Sequence, residues 1–271
     1  MKKYITILLI FISFSAYSQN VSICSWNIQH FGKTKTDAEI SYIANIIKEF
    51  DVVAIQEVVA GYGGSQAVAR LADELNRKGS GWDYVISSPT SSVGSSKERY
   101  AFLWNTARVK RKGVSWLDEN YADEIDREPY LSQFMVGNKS FTLLSFHAVP
   151  KTKQPEREIK YFKFFPEIYA DHNLIFCGDF NLPQSHTVFI PLKKMGYVSA
   201  LAAQKTSLKM ECVEGSCLAS EYDNIFFKSS FQVLKAGIVH FYRDFNSVKE
   251  ARRISDHVPV YLKLSLGVIA K

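Results

Sequence analysis

The sequence predicts an α/β fold in which two mostly antiparallel β-sheets pack together with helices outside them. Two observations carry that expectation. The pattern is βαβ-like early, hairpin-rich in the middle and mixed again late, whereas a doubly wound parallel sheet needs a crossover between successive strands throughout. Several strands are also apolar without interruption, as strands covered on both faces must be. No Gly/Ser linker, low-complexity tract or repeat period divides residues 20–271, which read as one domain.

Taken in order, Val21–Trp26 forms a first strand that ends at Asn27. Thr36-Asp37 opens a helix whose Ile40, Ile43, Ile46 and Ile47 recur at helical spacing. Val52–Ile55 is a second, fully buried strand ending in Gln56-Glu57, and Ala67–Leu75 a second amphipathic helix. Trp82–Ile86 and Tyr100–Trp104 read as strands around the Ser/Gly-rich stretch Ser87–Ser96. Leu131–Val136 and Ser140–Phe146 pair as a hairpin about Gly137-Asn138. Glu156–Ala170 reads as a helix, followed by the strands Leu174–Cys177, Tyr222–Phe227 and Phe231–Val239. The last strand, Val258–Leu264, alternates apolar and polar residues.

Residues 1–19 read as a signal peptide: basic Lys2-Lys3, an apolar run from Ile5 to Phe14, then small residues near a cleavage point. That run is short for a bilayer span, so the chain is expected to be secreted or periplasmic, without stable membrane association. The formal charge is +6; loss of Lys2 and Lys3 with the leader leaves +4, a mild bias towards polyanionic partners. Basic clusters at Arg108–Lys112, Lys151–Lys153 and Arg252-Arg253 read equally well as solvated loop charge. Export permits disulfides. Cys212 and Cys217 flank a turn-like Val-Glu-Gly-Ser and are expected to pair, while Cys24 and Cys177 lie in apolar runs as buried thiols.

Chemistry gathers at strand ends. Asn27, Gln56-Glu57, His147, Gly178-Asp179-Phe180-Asn181, Tyr222-Asp223-Asn224 and Ser255-Asp256-His257 each place polar residues just beyond or before an apolar strand. Taken alone, Asp179 and Asn181 are as readily turn residues; the recurrence across the chain is what points to a cleft. Glu57 and Asp256 offer hard carboxylate oxygens and Asn27 an amide oxygen, a donor set suited to Mg²⁺ or Mn²⁺ rather than zinc. His147 and His257 suit general acid and base catalysis once oriented by carboxylates, for which Glu98 and Asp223 are available. Asn181 can donate to a developing phosphorane oxygen. Phosphodiester hydrolysis needs these parts.

These blocks resemble the endonuclease/exonuclease/phosphatase superfamily, and within it the secreted deoxyribonuclease I group. The broad matches are Ser25-Trp26-Asn27-Ile28-Gln29, Ile55-Gln56-Glu57-Val58, Gly178-Asp179-Phe180-Asn181 and Ser255-Asp256-His257-Val258-Pro259-Val260. The narrower ones are Lys97–Trp104, Asp126-Arg127-Glu128-Pro129 and Phe146–Pro150. The resemblance implies a four-layered α/β sandwich, two central mostly antiparallel sheets flanked by helices. It implies a divalent metal at Glu57, Asn27 and Asp256, and His147 oriented by Glu98 with His257 oriented by Asp223. It places Asp179 and Asn181 on the metal, the water or the phosphate, and Arg127 on a substrate phosphate, where a surface ion pair with Asp126 or Glu128 is the structural alternative. A structural Ca²⁺ is compatible with it, and the protein is expected to be a monomer with DNA as substrate and no obligate protein partner.

Two positions depart from the deoxyribonuclease pattern: Val59 stands where an arginine enters the minor groove, and Ser96 where a tyrosine stacks on a sugar. The cysteine expected after Gly178–Asn181 is also absent, the chain running on as Leu182-Pro183-Gln184. The expected activity is therefore a metal-dependent endonuclease leaving 5′-phosphate ends, with the preference for duplex DNA, single strands or RNA left open. A phosphodiesterase or phosphatase acting on phospholipid or inositol phosphates is the alternative enzyme. A non-catalytic binding module is disfavoured because the full set of acids, amides and histidines is present.

Overall fold

A computed structural model of the chain describes residues 19–79, 81–94 and 97–268. The expected leader up to Ser18, and Ser96, lie outside the described residues. The chain opens with β1 (Asn20–Phe31), α1 (Asp37–Ile47), β2 (Val52–Val59), α2 (Tyr62–Arg77), β3 (Trp82–Ile86) and β4 (Glu98–Asn105). β5 (Lys110–Leu117), β6 (Tyr130–Val136) and β7 (Lys139–His147) follow, then the short helices α3 (Glu156–Ile159) and α4 (Phe165–Ile168). The second half contains β8 (Leu174–Asp179), α5 (Ile190–Lys194), β9 (Tyr197–Ser199), β10 (Leu208–Val213) and β11 (Ser216–Leu218). It closes with β12 (Asp223–Lys228), β13 (Phe231–Ile238), α6 (Val248–Ala251) and β14 (Val260–Val268).

Two six-stranded sheets result, ordered β13-β14-β1-β2-β4-β3 and β5-β6-β7-β8-β12-β9. Side-chain alternation along each strand explains why they stack in four layers. Val21 and Ile23 of β1, Val52 and Ala54 of β2, and Phe102 and Trp104 of β4 join Phe141, Leu143, Ile175 and Ile225 in a core between the sheets. The intervening residues, among them Cys24, Trp26, Val53, Ile55 and Leu103, pack outwards against Ile40, Ile43 and Ile47 of α1 and Val68 and Leu71 of α2. A third core lies outside the second sheet, where Leu144, Phe146, Phe176 and Phe226 meet Ile159, Phe162, Phe165 and Leu192. Strands covered on both sides must be apolar on both sides, which is why their runs lack the strict alternation of a half-exposed strand.

The topology also decides where polar ends meet. β1 and β2 run parallel, as do β7 and β8, and their remaining neighbours are antiparallel. A parallel pair delivers both C-terminal ends to one edge, so Asn27 and Glu57, and His147 and Asp179, emerge together. The antiparallel partners begin at that same edge: Glu98 lies opposite Val59, and Asp223 opposite Asp179.

Some expectations are corrected. The helix Glu156–Ala170 is broken into α3, a 3-10 turn at Lys160–Lys163 and α4. Pro166 has no N–H to continue the ladder, and its ring clashes with the preceding turn. The basic run at Lys110–Lys112 is an edge strand rather than a loop, and its lysines face solvent, where they discourage pairing with another chain. The surface loop expected about Cys212 and Cys217 is the β10–β11 hairpin, preceded by the short β9. Cys212 and Cys217 form the expected disulfide across that hairpin, and Cys24 and Cys177 are buried thiols. Among the described residues no helix is long and apolar enough to cross a membrane.

Candidate active site

The cleft at the shared strand edge has a volume of about 450 Å³ and is lined by Glu57, Glu98, Arg127, His147, Asp179, Asn181 and His257 with the cationic Lys97 and Lys153. Local backbone choices aim these groups. β2 slips register between Ile55 and Val58, and Glu57 adopts a left-handed φ of 60° that turns its carboxylate into the cleft. Asn181 (φ 51°) and His30 (φ 49°) share that conformation. Each costs on the order of 1 kcal/mol for a residue with a Cβ, and three such residues at one cleft is the clustering expected of a working site.

Two imidazole–carboxylate pairs face each other. His147 Nδ1 lies 3.0 Å from Glu98 Oε2 and 3.1 Å from Oε1, and His257 Nδ1 lies 2.7 Å from Asp223 Oδ2. The free Nε2 atoms converge on one oxygen, Asp179 Oδ2, at 3.5 Å from His147 and 3.6 Å from His257. Asn27 Nδ2 donates to the same oxygen at 3.2 Å and to Glu57 Oε1 at 3.0 Å. Asn181 is fixed by its N–H on Asp179 Oδ1 (2.9 Å) and by its amide on Ala148 O (3.0 Å).

Surrounding groups hold the pairs. Tyr222 stacks beside the His257 ring with centroids 6.4 Å apart, and Trp26 Nε1 donates to His257 O at 2.8 Å. Thr206 Oγ1 donates to Asp223 Oδ2 at 2.7 Å, which leaves that oxygen shared between a hydroxyl and His257. The sequence carries no sign of Thr206: it sits in a polar stretch far from Asp223, with only the hairpin to bring it back. Tyr100 Oη accepts from His147 N at 3.2 Å. Gln56, buried beneath the cleft, donates to Ser145 Oγ (2.8 Å) and Ser25 Oγ (3.2 Å), linking the two sheets where they open.

Arg127 makes neither of the ion pairs that would tie it to Asp126 or Glu128. It is buried, donating from Nε to His147 O (2.9 Å), from one terminal nitrogen to Ala148 O and from the other to Glu98 Oε2 (3.4 Å). Glu128 instead accepts from Ser91 N, at 2.9 Å and 3.1 Å. Asp256 does not line the cleft; its Oδ2 accepts from Gln29 Nε2 (3.1 Å) and Arg252 (3.3 Å).

The electrostatics follow from this geometry. Burial alone would lower the pKa of His257, but Asp223 and Asp179 together raise it well above the usual imidazole value. His147 is likewise raised against burial, chiefly by Glu98. Burial disfavours an ionised Asp179, yet His257 and His147 hold it below the usual carboxylate range. Burial pushes Asp223 up to about 6 against the pull of His257.

The linkage has a definite sign. Both histidines have folded-state values above the unfolded 6.5, so the native state binds their protons more tightly. Their contribution to stability is complete below about pH 6.5 and is lost as pH rises through the raised values. In chelator, melting temperature is therefore expected to fall on the alkaline side of 6.5, and His257→Gln to flatten that decline. Thermal melts across pH check this.

A divalent cation fits the cleft. Asn27 Oδ1 is buried without a hydrogen-bond partner among the described residues, although the rest of that amide is engaged. That orphaned amide oxygen and the Glu57 carboxylate, which the amide nitrogen contacts, are hard oxygen donors of the kind a divalent cation takes. Asp179, Asp223 and His257 also offer ligand atoms within 4.8 Å of one another, though Nδ1 of His257 is committed to Asp223.

Comparison with known proteins agrees with this geometry. Residues 24–257 match the model of the Endonuclease/Exonuclease/phosphatase family. The chain belongs to that family. Its members are named for breaking phosphate ester bonds, and the family's span contains every residue of the cleft described above. A deoxyribonuclease of Thioalkalivibrio sp. (strain K90mix) is 28% identical over 282 residues, covering 94% of this chain and 74% of that protein. Deoxyribonuclease-1-like 1 of Sus scrofa is 29% identical over 283 residues, covering 97% and 86%. A solved endonuclease/exonuclease/phosphatase family protein from Bacteroides thetaiotaomicron superposes with a TM-score of 0.64 at 16% identity, covering 90% of this chain and 97% of the other, and shares the fold.

Proposed function

We propose that this member of the family is an exported, divalent-metal-dependent endonuclease that hydrolyses DNA phosphodiesters to 5′-phosphate and 3′-hydroxyl ends. The observation that carries the reading is the convergence of His147 Nε2 and His257 Nε2 on Asp179 Oδ2, each imidazole backed by its own carboxylate. Deoxyribonuclease relatives that match along most of the chain support DNA as the substrate. The Cys212–Cys217 disulfide is compatible with export.

One imidazole takes a proton from the attacking water while the other delivers a proton to the departing 3′-oxygen, so the P–O3′ bond breaks as the new P–O bond forms. Glu98 and Asp223 fix the tautomers and orient the rings. Asp179 orients the water between the two rings. Asn181 donates to a non-bridging phosphoryl oxygen, and Arg127, with Lys97 and Lys153 on the rim, holds the substrate's phosphates. Glu57 and Asn27 would hold the cation, whereas the Asp256 carboxylate expected with them is engaged by Gln29 and Arg252. A divalent cation such as Mg²⁺ or Mn²⁺ held there would neutralise charge on the phosphoryl oxygens.

The test is a substrate panel. Purified protein with Mg²⁺ is expected to nick supercoiled plasmid, to stop on chelation, and to release nothing from phospholipid or inositol phosphate substrates. Single-stranded DNA and RNA offered in parallel report what Val59 has changed. Hydrolysis of the lipid or inositol phosphates without nicking would overturn the nuclease reading.

A further inference from the structure

Lys35 lies in the turn between β1 and α1, where a lysine is ordinarily solvated, yet it is only 7% exposed. Its Nζ donates to Arg253 O at 2.7 Å and to Ile254 O at 2.8 Å, the two carbonyls that precede Ser255-Asp256-His257. A buried ammonium is retained where hydrogen bonds compensate its lost hydration, and here both come from one short segment of backbone.

The anchor is itself rigid. Lys35 N–H donates to Gly32 O (3.1 Å), and Lys35 O accepts from Arg70 of α2 (3.1 Å), whose guanidinium also binds Asp37 (2.6 Å). Thr36 caps α1 through a reciprocal bond with Glu39, so the lysine is mounted on two helices at once. Downstream, Ser255 Oγ donates to Asn27 O (2.6 Å) and accepts from His257 N (3.0 Å). The segment carrying His257 is therefore gripped at its root by Lys35 and at its tip by β1.

We infer that Lys35 is a positioning residue: its buried ammonium fixes the carbonyls of Arg253 and Ile254 so that His257 meets both Asp223 and Asp179. The role in turnover rests on the hydrolase reading above, whereas the placement of the ring does not. A displacement of about 1 Å in a catalytic group costs about 10²-fold in rate, and substrate contacts made elsewhere are untouched by it.

Two readouts test the inference. The low-field Nδ1–H proton resonances of His257 and His147 are followed by NMR and assigned through their loss in His257→Gln and His147→Gln. In Lys35→Met the His257 resonance is expected to shift or broaden while that of His147 stays in place. In DNA hydrolysis kcat falls about 10²-fold with KM within about twofold, and Lys35→Arg recovers most of that loss. Ile43→Val, in the α1 core, serves as a mildly destabilised control and is expected to leave both resonances and kcat unchanged. If Lys35→Met does not accumulate folded, Lys35→Gln is read the same way. An unchanged His257 resonance, or movement of both histidines together, overturns the inference. A wild-type protein that cleaves no DNA overturns the nuclease reading instead, and the NMR result still decides the role of Lys35.

Discussion

Replacing His257 or His147 by alanine is expected to lower plasmid nicking by about 10²–10⁴-fold each, the range typical of a lost general acid or base. Both rings are buried, with Nδ1 held by a carboxylate and Nε2 left to face Asp179 Oδ2 at the cleft. If the two act on the same phosphate as proposed, the double variant is expected to lose far less than the product of the single losses. The variants also separate the roles. A substrate whose 3′-bridging oxygen is replaced by sulfur leaves without a proton, so it restores the variant lacking the acid and not the one lacking the base. Gel-resolved nicking rates on both substrates make the measurement. Wild-type rates in either alanine variant would remove that histidine from the reaction.

Gly178→Ala is expected to have the largest effect on folding. Gly178 has φ +140°, a conformation closed to L side chains, and a Cβ there would lie 1.8 Å from Phe146 O in the parallel β7–β8 pair. Relief requires moving one of the two strands that carry His147 and Asp179. The expected cost is on the order of 4–5 kcal/mol, enough to unfold a domain of ordinary stability. Urea denaturation, or failure to recover soluble protein, checks this. A midpoint equal to wild type would show that β7 and β8 are not so closely apposed.

Much of this was legible in the sequence because strand ends are marked by chemistry. Apolar runs stop at Asn27, Glu57, His147 and Asp179, and the structure gathers those stops at one edge because both parallel pairs end there. Residues that act across the fold were not legible. Thr206 reaches Asp223 only through the β10–β11 excursion, and Lys35 reads as a solvated turn lysine until the Arg253–Ile254 backbone closes over it. Asp256 shows the converse: its place in a motif suggests the cleft, but Arg252 and Gln29 compete for its carboxylate. The break at Pro166 is different in kind, since a proline within an otherwise helical stretch is visible in the sequence itself.

The reading of the cleft depends most on Asp179, whose Oδ2 is the one atom both imidazoles face. Asp179→Asn keeps the shape and removes the charge, so the decisive measurement is its rate of plasmid nicking in saturating Mg²⁺ beside its melting temperature and its affinity for DNA. A fall in rate of at least about 10²-fold, with DNA binding and folding retained, is the expected result for a group acting in the reaction. Nicking at the wild-type rate would contradict a reaction centred between His147 and His257.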